Sequence, residues 1–292
     1  MMMVIKLLMP LFLLATDQPV RDLAVKVFPP RPAQGKFLLV QVEGAQPGDR
    51  VSGEFAGRKL RFFIDERGRV RALTAVSWKQ EPGDASLVVT VQPPRGDPVI
   101  QGVAVPVLEF EFEKQELKVN PKYVRPPKEV RARIRRERAA MKSVWRALPS
   151  GRKWRGSFVW PRKDEICSTF GAKRMFNQRL KSRHFGVDID GKTGDPVLAM
   201  GAGRVVMVSD RYYAGGTVVI DHGLRLFSLY FHLSEFLVEV GDDVEKGQLI
   251  GKVGRSGRVT GPHLHLGTRI EGLSFDPLSL LEFDFDDGDA RP

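Results

Sequence analysis

The sequence has 292 residues but only one cysteine, Cys167, and only five histidines, none of which occurs before residue 184. A single cysteine excludes an intrachain disulfide and any zinc site built from several thiolates. Its β-rich surroundings predict that Cys167 is a buried strand residue. The sequence contains no His-Glu-x-x-His, so a helical zinc peptidase motif is also excluded.

The N-terminal region contains only a short apolar run. The run at residues 7–15 follows Lys6 and is too short to cross a bilayer, which takes about 20 residues. It is typical of the apolar region of a signal peptide, although Leu13-Leu14-Ala15 is a poor cleavage site. We predict a signal peptide or N-terminal anchor at residues 1–17 and export to the periplasm or cell envelope. The alternative is a buried strand or helix at the start of the first domain.

The charge balance is strongly basic. Lys and Arg number 46 against 35 Asp and Glu, which gives a net charge of +11 and an isoelectric point near 9.9. Such a balance favours an anionic partner, for which nucleic acid, anionic lipid and the carboxylate-rich bacterial cell wall all qualify. No nucleic-acid recognition motif accompanies the charge, so we expect no nucleic-acid partner.

Residues 22–113 have the pattern of a small β-sandwich, which we interpret as a binding or spacer module. Short β-rich runs are separated by turn residues, at residues 37–43, 50–55, 60–64, 69–76 and 87–92. Beside Pro106 the apolar phase shifts by one residue, which predicts an edge strand with a bulge. The segment contains no histidine and no chemical motif.

Residues 114–155 are predicted to form a basic linker with one helix at 129–148. Between Lys122 and Arg146 ten residues are basic and two are acidic. We favour a helix with a solvated basic face and an apolar stripe packed on a domain. The alternative is contact with an anionic envelope polymer or membrane surface. The acidic residues after 284 predict a disordered tail at 284–292.

Residues 156–283 are again β-rich and contain all five histidines. In the stretch 261–267, His263 and His265 lie on one face of a strand, and Leu264 and Leu266 lie on the other. The leucines can then enter a core while both imidazoles line a groove. Neutral imidazoles gathered in one part of a chain indicate a metal site.

A second pair strengthens the metal hypothesis. His184 and Asp188 share a face if the segment is extended, and Gly186 between them allows a close approach to the backbone. A catalytic zinc keeps three protein ligands and one open position. Four candidates are present, so spacing alone leaves open which of them is not a ligand. His232 is a further imidazole that can lie near the metal without binding it.

These motifs resemble those of the lysostaphin-type (LytM-domain) zinc peptidases, which cut peptide bonds in bacterial peptidoglycan. The resemblance covers roughly residues 160–282 and rests on His184-x-x-x-Asp188, Tyr230-x-His232-Leu233-Ser234 and Gly261-Pro262-His263-Leu264-His265. It implies an all-β chain whose C-terminal domain, at 156–283, is an antiparallel sheet with an open groove.

The resemblance also implies the roles of the site residues. His184, Asp188 and His265 would hold one Zn²⁺ per chain, and His232 and His263 would be catalytic imidazoles that do not bind the metal. The implied activity is hydrolysis of peptide cross-links in peptidoglycan.

Two other functions are weighed. A LytM-like domain without catalysis could regulate another wall hydrolase by binding, and the Val244–Gln248 segment resembles the hairpin of lipoyl carriers, which would make Lys246 a modified lysine. Among the remaining polar residues, we expect His222 to support a turn. For Arg174, Asn177 and Arg183, ahead of His184, we expect surface solvation, and the alternative is contact with substrate carboxylates.

Overall fold

The computed structural model describes residues 22–147, 150–285 and 289–290, and the chain is built mainly from β-strands. The predicted all-β fold class is therefore confirmed. Within these ranges no helix has the length and apolar character needed to cross a bilayer. The predicted signal peptide or anchor at 1–17 lies outside the described residues.

The first eight strands form two four-stranded antiparallel sheets, in the orders β1-β2-β6-β5 and β4-β3-β7-β8. The strands are β1 (Ala24–Phe28), β2 (Phe37–Glu43), β3 (Arg50–Phe55), β4 (Arg58–Lys59), β5 (Phe62–Ile64), β6 (Val70–Ala75), β7 (Gly83–Gln92) and β8 (Val99–Val107). The predicted runs at 37–43 and 50–55 are observed at those bounds. β8 is an edge strand, as predicted. The prediction of a bulge in it is wrong, because its pairing with β7 is regular throughout.

β2 explains how this module joins the rest of the chain. Leu38, Val40 and Val42 point into the core between the two sheets. Phe37 and Leu39 point to the opposite face and belong to the hydrophobic core of the C-terminal half. A strand buried on both faces has a continuous apolar run in place of an alternating one, which is why its sequence reads Phe-Leu-Leu-Val.

The C-terminal half is organised on one eight-stranded sheet with the order β10-β13-β21-β17-β16-β15-β19, to which β22 adds beside β21. Its strands are β9 (Lys114–Leu117), β10 (Ile166–Ser168), β11 (Lys173–Phe176), β12 (Leu180–Arg183), β13 (Val187–Asp190), β14 (Pro196–Leu198), β15 (Gly203–Arg211), β16 (Gly215–Asp221), β17 (Leu226–Leu233), β18 (Glu235–Phe236), β19 (Asp243–Val244), β20 (Leu249–Lys252), β21 (His263–Ile270), β22 (Leu273–Phe275), β23 (Phe283–Asp284) and β24 (Asp289–Ala290). The helices are α1 (Arg131–Arg146) and α2 (Pro277–Leu281). β12-β11-β9 and β14-β20-β18 form two smaller sheets.

The segment that connects the two halves contacts the C-terminal one closely. β9 pairs in parallel with β11, and α1 packs Met141, Val144 and Trp145 against a cluster that contains Met207 and Phe227. The observed helix agrees with the interpretation of a packed apolar stripe under a basic face. The predicted last residue of the helix, 148, lies outside the described residues, and the observed helix ends at Arg146.

The predicted disordered tail is wrong for its first residues. β23 ends at Asp284, and Phe285 is buried among Phe37, Trp154 and Phe158. Its carbonyl oxygen accepts a hydrogen bond of 2.7 Å from the buried guanidinium of Arg71. The acidic composition predicted disorder, although Phe285 packs against aromatic residues of both halves. Residues 286–288 and 291–292 lie outside the described residues.

Because this aromatic cluster joins both halves, Phe285→Ala is expected to destabilise the whole chain. Truncation of a buried phenylalanine to alanine typically costs about 3–5 kcal/mol of unfolding free energy. Urea unfolding followed by far-UV circular dichroism should give one cooperative transition at a lower midpoint. Ile100→Ala is the control, since Ile100 is 64% exposed and its loss should change stability by less than about 0.5 kcal/mol. Two separate transitions would contradict a shared core.

Candidate metal centre

The site is built on the central strand β21, which lies between β13 and β17. Asp188 of β13 is directly opposite His265, and Phe231 of β17 is opposite it on the other side. Leu264 and Leu266 are fully buried, so the alternation predicted for this stretch is observed. The Phe231 ring stacks on the His265 imidazole at a centroid distance of 5.0 Å and an interplanar angle of 5°.

Three side chains bring one donor atom each to a common point. His184 Nε2 lies 3.0 Å from Asp188 Oδ1 and 2.8 Å from His265 Nδ1, and His265 Nδ1 lies 2.9 Å from Asp188 Oδ1. Zinc–ligand distances of about 2.0 Å in tetrahedral geometry place two ligands about 3.3 Å apart. The observed triangle is slightly tighter than this, and all three residues are buried. His184, Asp188 and His265 are therefore brought together as the resemblance implied.

The hydrogen bonds of His184 show why this point suits a cation. Its Nδ1 lies 2.8 Å from the carbonyl oxygen of Thr169. A carbonyl oxygen only accepts, so Nδ1 carries the proton, and Nε2 of the neutral ring presents a lone pair. That lone pair faces the carboxylate oxygen Oδ1 of Asp188 at 3.0 Å, so a proton or a metal ion must lie between the two acceptors. The donor set fits a divalent zinc ion.

Asp188 stays ionised in this setting. Burial alone would raise the pKa of Asp188, but its contacts with His184 and His265 outweigh burial and hold the pKa below its usual range. Burial lowers the pKa of His265 to about 4. The three groups are thus one carboxylate and two imidazoles, and the ionised carboxylate and the neutral imidazole are the forms that bind metals.

Gly186 allows the close approach that the sequence suggested. A Cβ at this position would lie 2.6 Å from His265 Nε2 and 2.4 Å from the carbonyl oxygen of Leu266. Any larger residue would push β21 away from the segment that carries His184. The glycine therefore sets the short distance between the two imidazoles.

Arg174 has a role that the sequence did not predict. Its Nη2 donates to Asp188 Oδ2 and to Ser168 Oγ, and its Nε donates to Gln115 Oε1 at 3.0 Å. The expectation of surface solvation is wrong here because β11 directs Arg174 inward, toward the carboxylate. No local signal distinguishes such an arginine from a solvated one, since its partners lie 6, 14 and 59 residues away.

The same expectation is also wrong for Asn177 and Arg183. The Asn177 amide exchanges hydrogen bonds with the backbone of Val119. The Arg183 guanidinium lies 4.0 Å from the centre of the Trp78 ring and donates to the carbonyl oxygen of Gly171. Both side chains thus tie the loop before His184 to other parts of the chain.

His232 and His263 lie beside the triangle with their rings 4.9 Å apart. His232 Nδ1 is 2.8 Å from the carbonyl oxygen of Ser256, and His263 Nδ1 is 3.0 Å from that of Gly261. Each carbonyl fixes a proton on Nδ1, so a neutral ring has its lone pair on Nε2, and His263 Nε2 lies 3.5 Å from Asp188 Oδ1. Burial holds the pKa of His232 well below its usual value.

His232 has an unusual backbone. Its φ is +67°, in the left-handed region that few residues other than glycine occupy. The pairing of β16 with β17 shifts register at this point, and the His232 amide donates to the carbonyl oxygen of Ala214 at 2.9 Å. A bulge of this kind redirects a side chain out of the regular alternation, and here it aims the imidazole at His263.

Two open depressions flank these residues, and together we call them the groove. One extends past Phe185 and Arg269, and the other past Gln115 and Asp190. The residues that line both depressions are Arg174, Phe176, His232 and Arg258. The candidate site therefore lies in the middle of an elongated surface, and an extended chain can pass through it.

The remaining residues singled out from the sequence lie away from the groove centre. His222 is buried, with Nδ1 2.8 Å from the Ala202 carbonyl oxygen and Nε2 2.8 Å from Ser228 Oγ, consistent with the expected structural role. Tyr230 is in the core, where its hydroxyl accepts a hydrogen bond from the Met200 amide. The expectation of a buried Cys167 is wrong, because its side chain is exposed.

Part of this chain is similar to known peptidases. Residues 182–277 match the model of peptidase family M23. The chain is 37% identical over 134 residues to the peptidoglycan DD-endopeptidase ShyA of Vibrio cholerae, a match that covers 46% of this chain and 29% of ShyA. It is 39% identical over 115 residues to the DD-carboxypeptidase/endopeptidase Mpg of Neisseria meningitidis, covering 39% of this chain and 26% of Mpg.

A solved structure extends the likeness in fold. A peptidase M23 from Pseudomonas aeruginosa aligns with a TM-score of 0.65 and 24% identity, covering 86% of this chain and 94% of that one. The chain thus contains a peptidase M23 domain, and the predicted lysostaphin-type resemblance is confirmed. It spans less than a third of the length of the two curated relatives.

His222 should make stability fall on acidification. Burial lowers its pKa from 6.5 to about 4, so between these values the unfolded chain binds more protons and stability decreases as the pH falls. The loss is about 3 kcal/mol over this window. His222→Gln should remove this part of the pH dependence when urea unfolding is compared at pH 7 and pH 4 for both zinc-free proteins. An equal loss of stability in both proteins would contradict the assignment.

Proposed function

We propose that this chain is a zinc-dependent endopeptidase that hydrolyses peptide cross-links of bacterial peptidoglycan. The observation that carries the proposal is the triangle of His184, Asp188 and His265 beside two imidazoles whose Nδ1 atoms are held by backbone carbonyls. The names of ShyA and Mpg support the substrate class.

His184 Nε2, His265 Nδ1 and Asp188 Oδ1 would hold the zinc ion. Bound zinc would act as a Lewis acid toward a peptide carbonyl and would lower the pKa of a water molecule to about 7. With three protein ligands, one coordination position stays open to the groove.

His232 and His263 would handle the protons. Each has an unprotonated Nε2 because a backbone carbonyl keeps the proton on Nδ1. One Nε2 accepts the proton of the attacking water, and as an imidazolium it can pass that proton to the leaving amine. The other would first take a proton from solvent on its Nε2 and could then donate a hydrogen bond to the oxyanion that develops on the former carbonyl.

The site geometry favours an enzyme over a catalytically latent binding module that regulates another hydrolase. Binding alone does not require two imidazoles held by backbone carbonyls beside a metal triangle, and the strained backbone of His232 serves only to aim one of them. The substrate also implies export, because peptidoglycan lies outside the cytoplasmic membrane. The signal peptide or anchor and the binding of an anionic envelope polymer by the basic linker stay predictions.

Digestion of purified peptidoglycan by the full chain tests the function. New stem-peptide termini should appear by mass spectrometry, disappear on zinc chelation and return when zinc is restored. His232→Ala and His263→Ala should each lower the rate about 100-fold or more while retaining one zinc per chain by elemental analysis. His184→Ala should lose the zinc itself.

His222→Gln is the matched control, since it replaces a buried histidine outside the groove and should keep both zinc and activity. Intact peptidoglycan after incubation with the fully zinc-loaded protein would contradict the proposed function.

Arg174 is proposed to position Asp188. Because its guanidinium occupies Oδ2, the carboxylate offers only Oδ1 to the metal, and Gln115 and Ser168 hold the guanidinium in place. Loss of such an outer partner typically lowers metal affinity about 10–100-fold. Arg174→Ala should do so in a competition titration with a chromogenic chelator, and Arg174→Lys should restore part of the affinity.

The control for Arg174 is Arg179→Ala, which removes an exposed arginine from the same hairpin. The visible spectrum of the cobalt-substituted protein should weaken for Arg174→Ala, because a carboxylate free to bind through both oxygens raises the coordination number. An unchanged affinity and an unchanged spectrum would show that Arg174 does not position the ligand.

A further inference from the structure

Arg258 has an unusual environment at the centre of the groove. Its guanidinium carbon lies 4.3 Å from the centre of the Phe176 ring and 5.2 Å from that of Tyr213. Its backbone amide donates to the Tyr213 carbonyl oxygen at 2.8 Å. A planar cation against two aromatic rings keeps a fixed orientation at small entropic cost. Arg258 is therefore rigid and half-buried.

The positive charge of Arg258 has no negative partner among the residues that the structure describes. The neighbouring guanidinium of Arg174 is paired with Asp188, whereas that of Arg258 makes no ion pair and donates no side-chain hydrogen bond within the described ranges. Glu116 and Asp190 line the same depression, but both are exposed and neither is paired with Arg258. Burial lowers the pKa of Arg258, so this charge is costly without a partner.

The position of Arg258 places this charge next to the proposed chemistry. It lines both depressions, as His232 does. Ser256, two residues earlier in the same loop, holds the His232 imidazole through its carbonyl oxygen. A substrate that extends through the groove must pass Arg258 close to the bond that is cut.

We propose that Arg258 binds a carboxylate of the substrate peptide beside the scissile bond and so selects peptides with a free carboxylate there. This inference rests on the proposed function and names the substrate group recognised at the site. A guanidinium fork matches a carboxylate through two parallel hydrogen bonds. The Phe176 and Tyr213 rings leave its edge as the part of the guanidinium that can donate.

Two sources can supply the carboxylate: the chain terminus of a stem peptide, or a carboxylate on the residue that forms the cross-link. Both are tested with synthetic cross-linked stem-peptide dimers. One dimer carries all carboxylates free, and two others carry a carboxamide at only one of the two positions. The zinc-loaded full chain, Arg258→Gln and Arg258→Lys are compared on each dimer by kcat and KM.

On the dimer with free carboxylates, Arg258→Gln should raise KM about 10–100-fold, as for loss of a charged hydrogen-bonding partner. The wild-type protein should show a similar rise on one of the two amidated dimers, and that dimer identifies the source. Arg258→Gln should lose nothing further on it, because the interaction is already absent. Arg258→Lys should recover part of the affinity. Arg255→Gln, in an exposed arginine of the same loop, should match the wild type.

The proposal would be overturned if amidation raised the KM of Arg258→Gln by as much as that of the wild type. An unchanged KM for Arg258→Gln would overturn it as well. Binding of the same dimers to His263→Ala and to His263→Ala/Arg258→Gln, measured by calorimetry, separates this outcome from failure of the proposed function. If the wild type cuts no dimer but His263→Ala binds the free dimer through Arg258, only the activity is wrong. If the two variants bind all three dimers equally, the carboxylate site is wrong.

Discussion

The pairing of β13 with β21 is the constraint on which the site depends. It sets Asp188 opposite His265, while Gly186 lets the His265 ring approach the segment that carries His184. Side chains alternate along a strand, so a slip of one residue in this register would replace both imidazoles with leucines and turn the imidazoles into the core. The buried leucines hold the register through the same alternation that presents the histidines. The alternation of side chains along β21 thus determines both the packing of the leucines in the core and the positions of the proposed metal donors.

The second imidazole pair depends on loops that the sheet holds in place. His232 and His263 come from different strands, and each is oriented by a backbone carbonyl within a few ångströms. A carbonyl cannot rotate away as a side chain can, so the tautomer of each ring follows from the fold. The site is consequently organised before any substrate arrives, which is the condition under which electrostatic effects act most strongly.

The sequence predicted much of this arrangement because the relevant signals are local. The alternation of histidine and leucine at 263–266 follows from strand geometry, whereas His184 lies between β12 and β13 and meets Asp188 across the bend at Gly186. Spacing could not separate His263 from His265 as ligands, since both lie on the same face, and only the family resemblance did so. The partners of Arg174 could not be predicted, because Gln115 reaches it through a parallel pairing between distant segments. The burial of Phe285 could not be predicted, because its neighbours in the sequence are acidic. Its burial is determined by contacts with three distant aromatic rings.

The parallel pairing of β9 with β11 makes the connecting segment part of the groove. Gln115 contacts Ser168 and Arg174 and lines one depression, although it lies 67 residues before the start of the family match at residue 182. A recombination event that transferred only the matched region to another protein would leave behind one wall of the groove and a support of its metal ligand. The heritable unit of this site is therefore larger than the region by which the family is recognised. A different accessory module would therefore have to be fused on the N-terminal side of β9 for the site to stay intact.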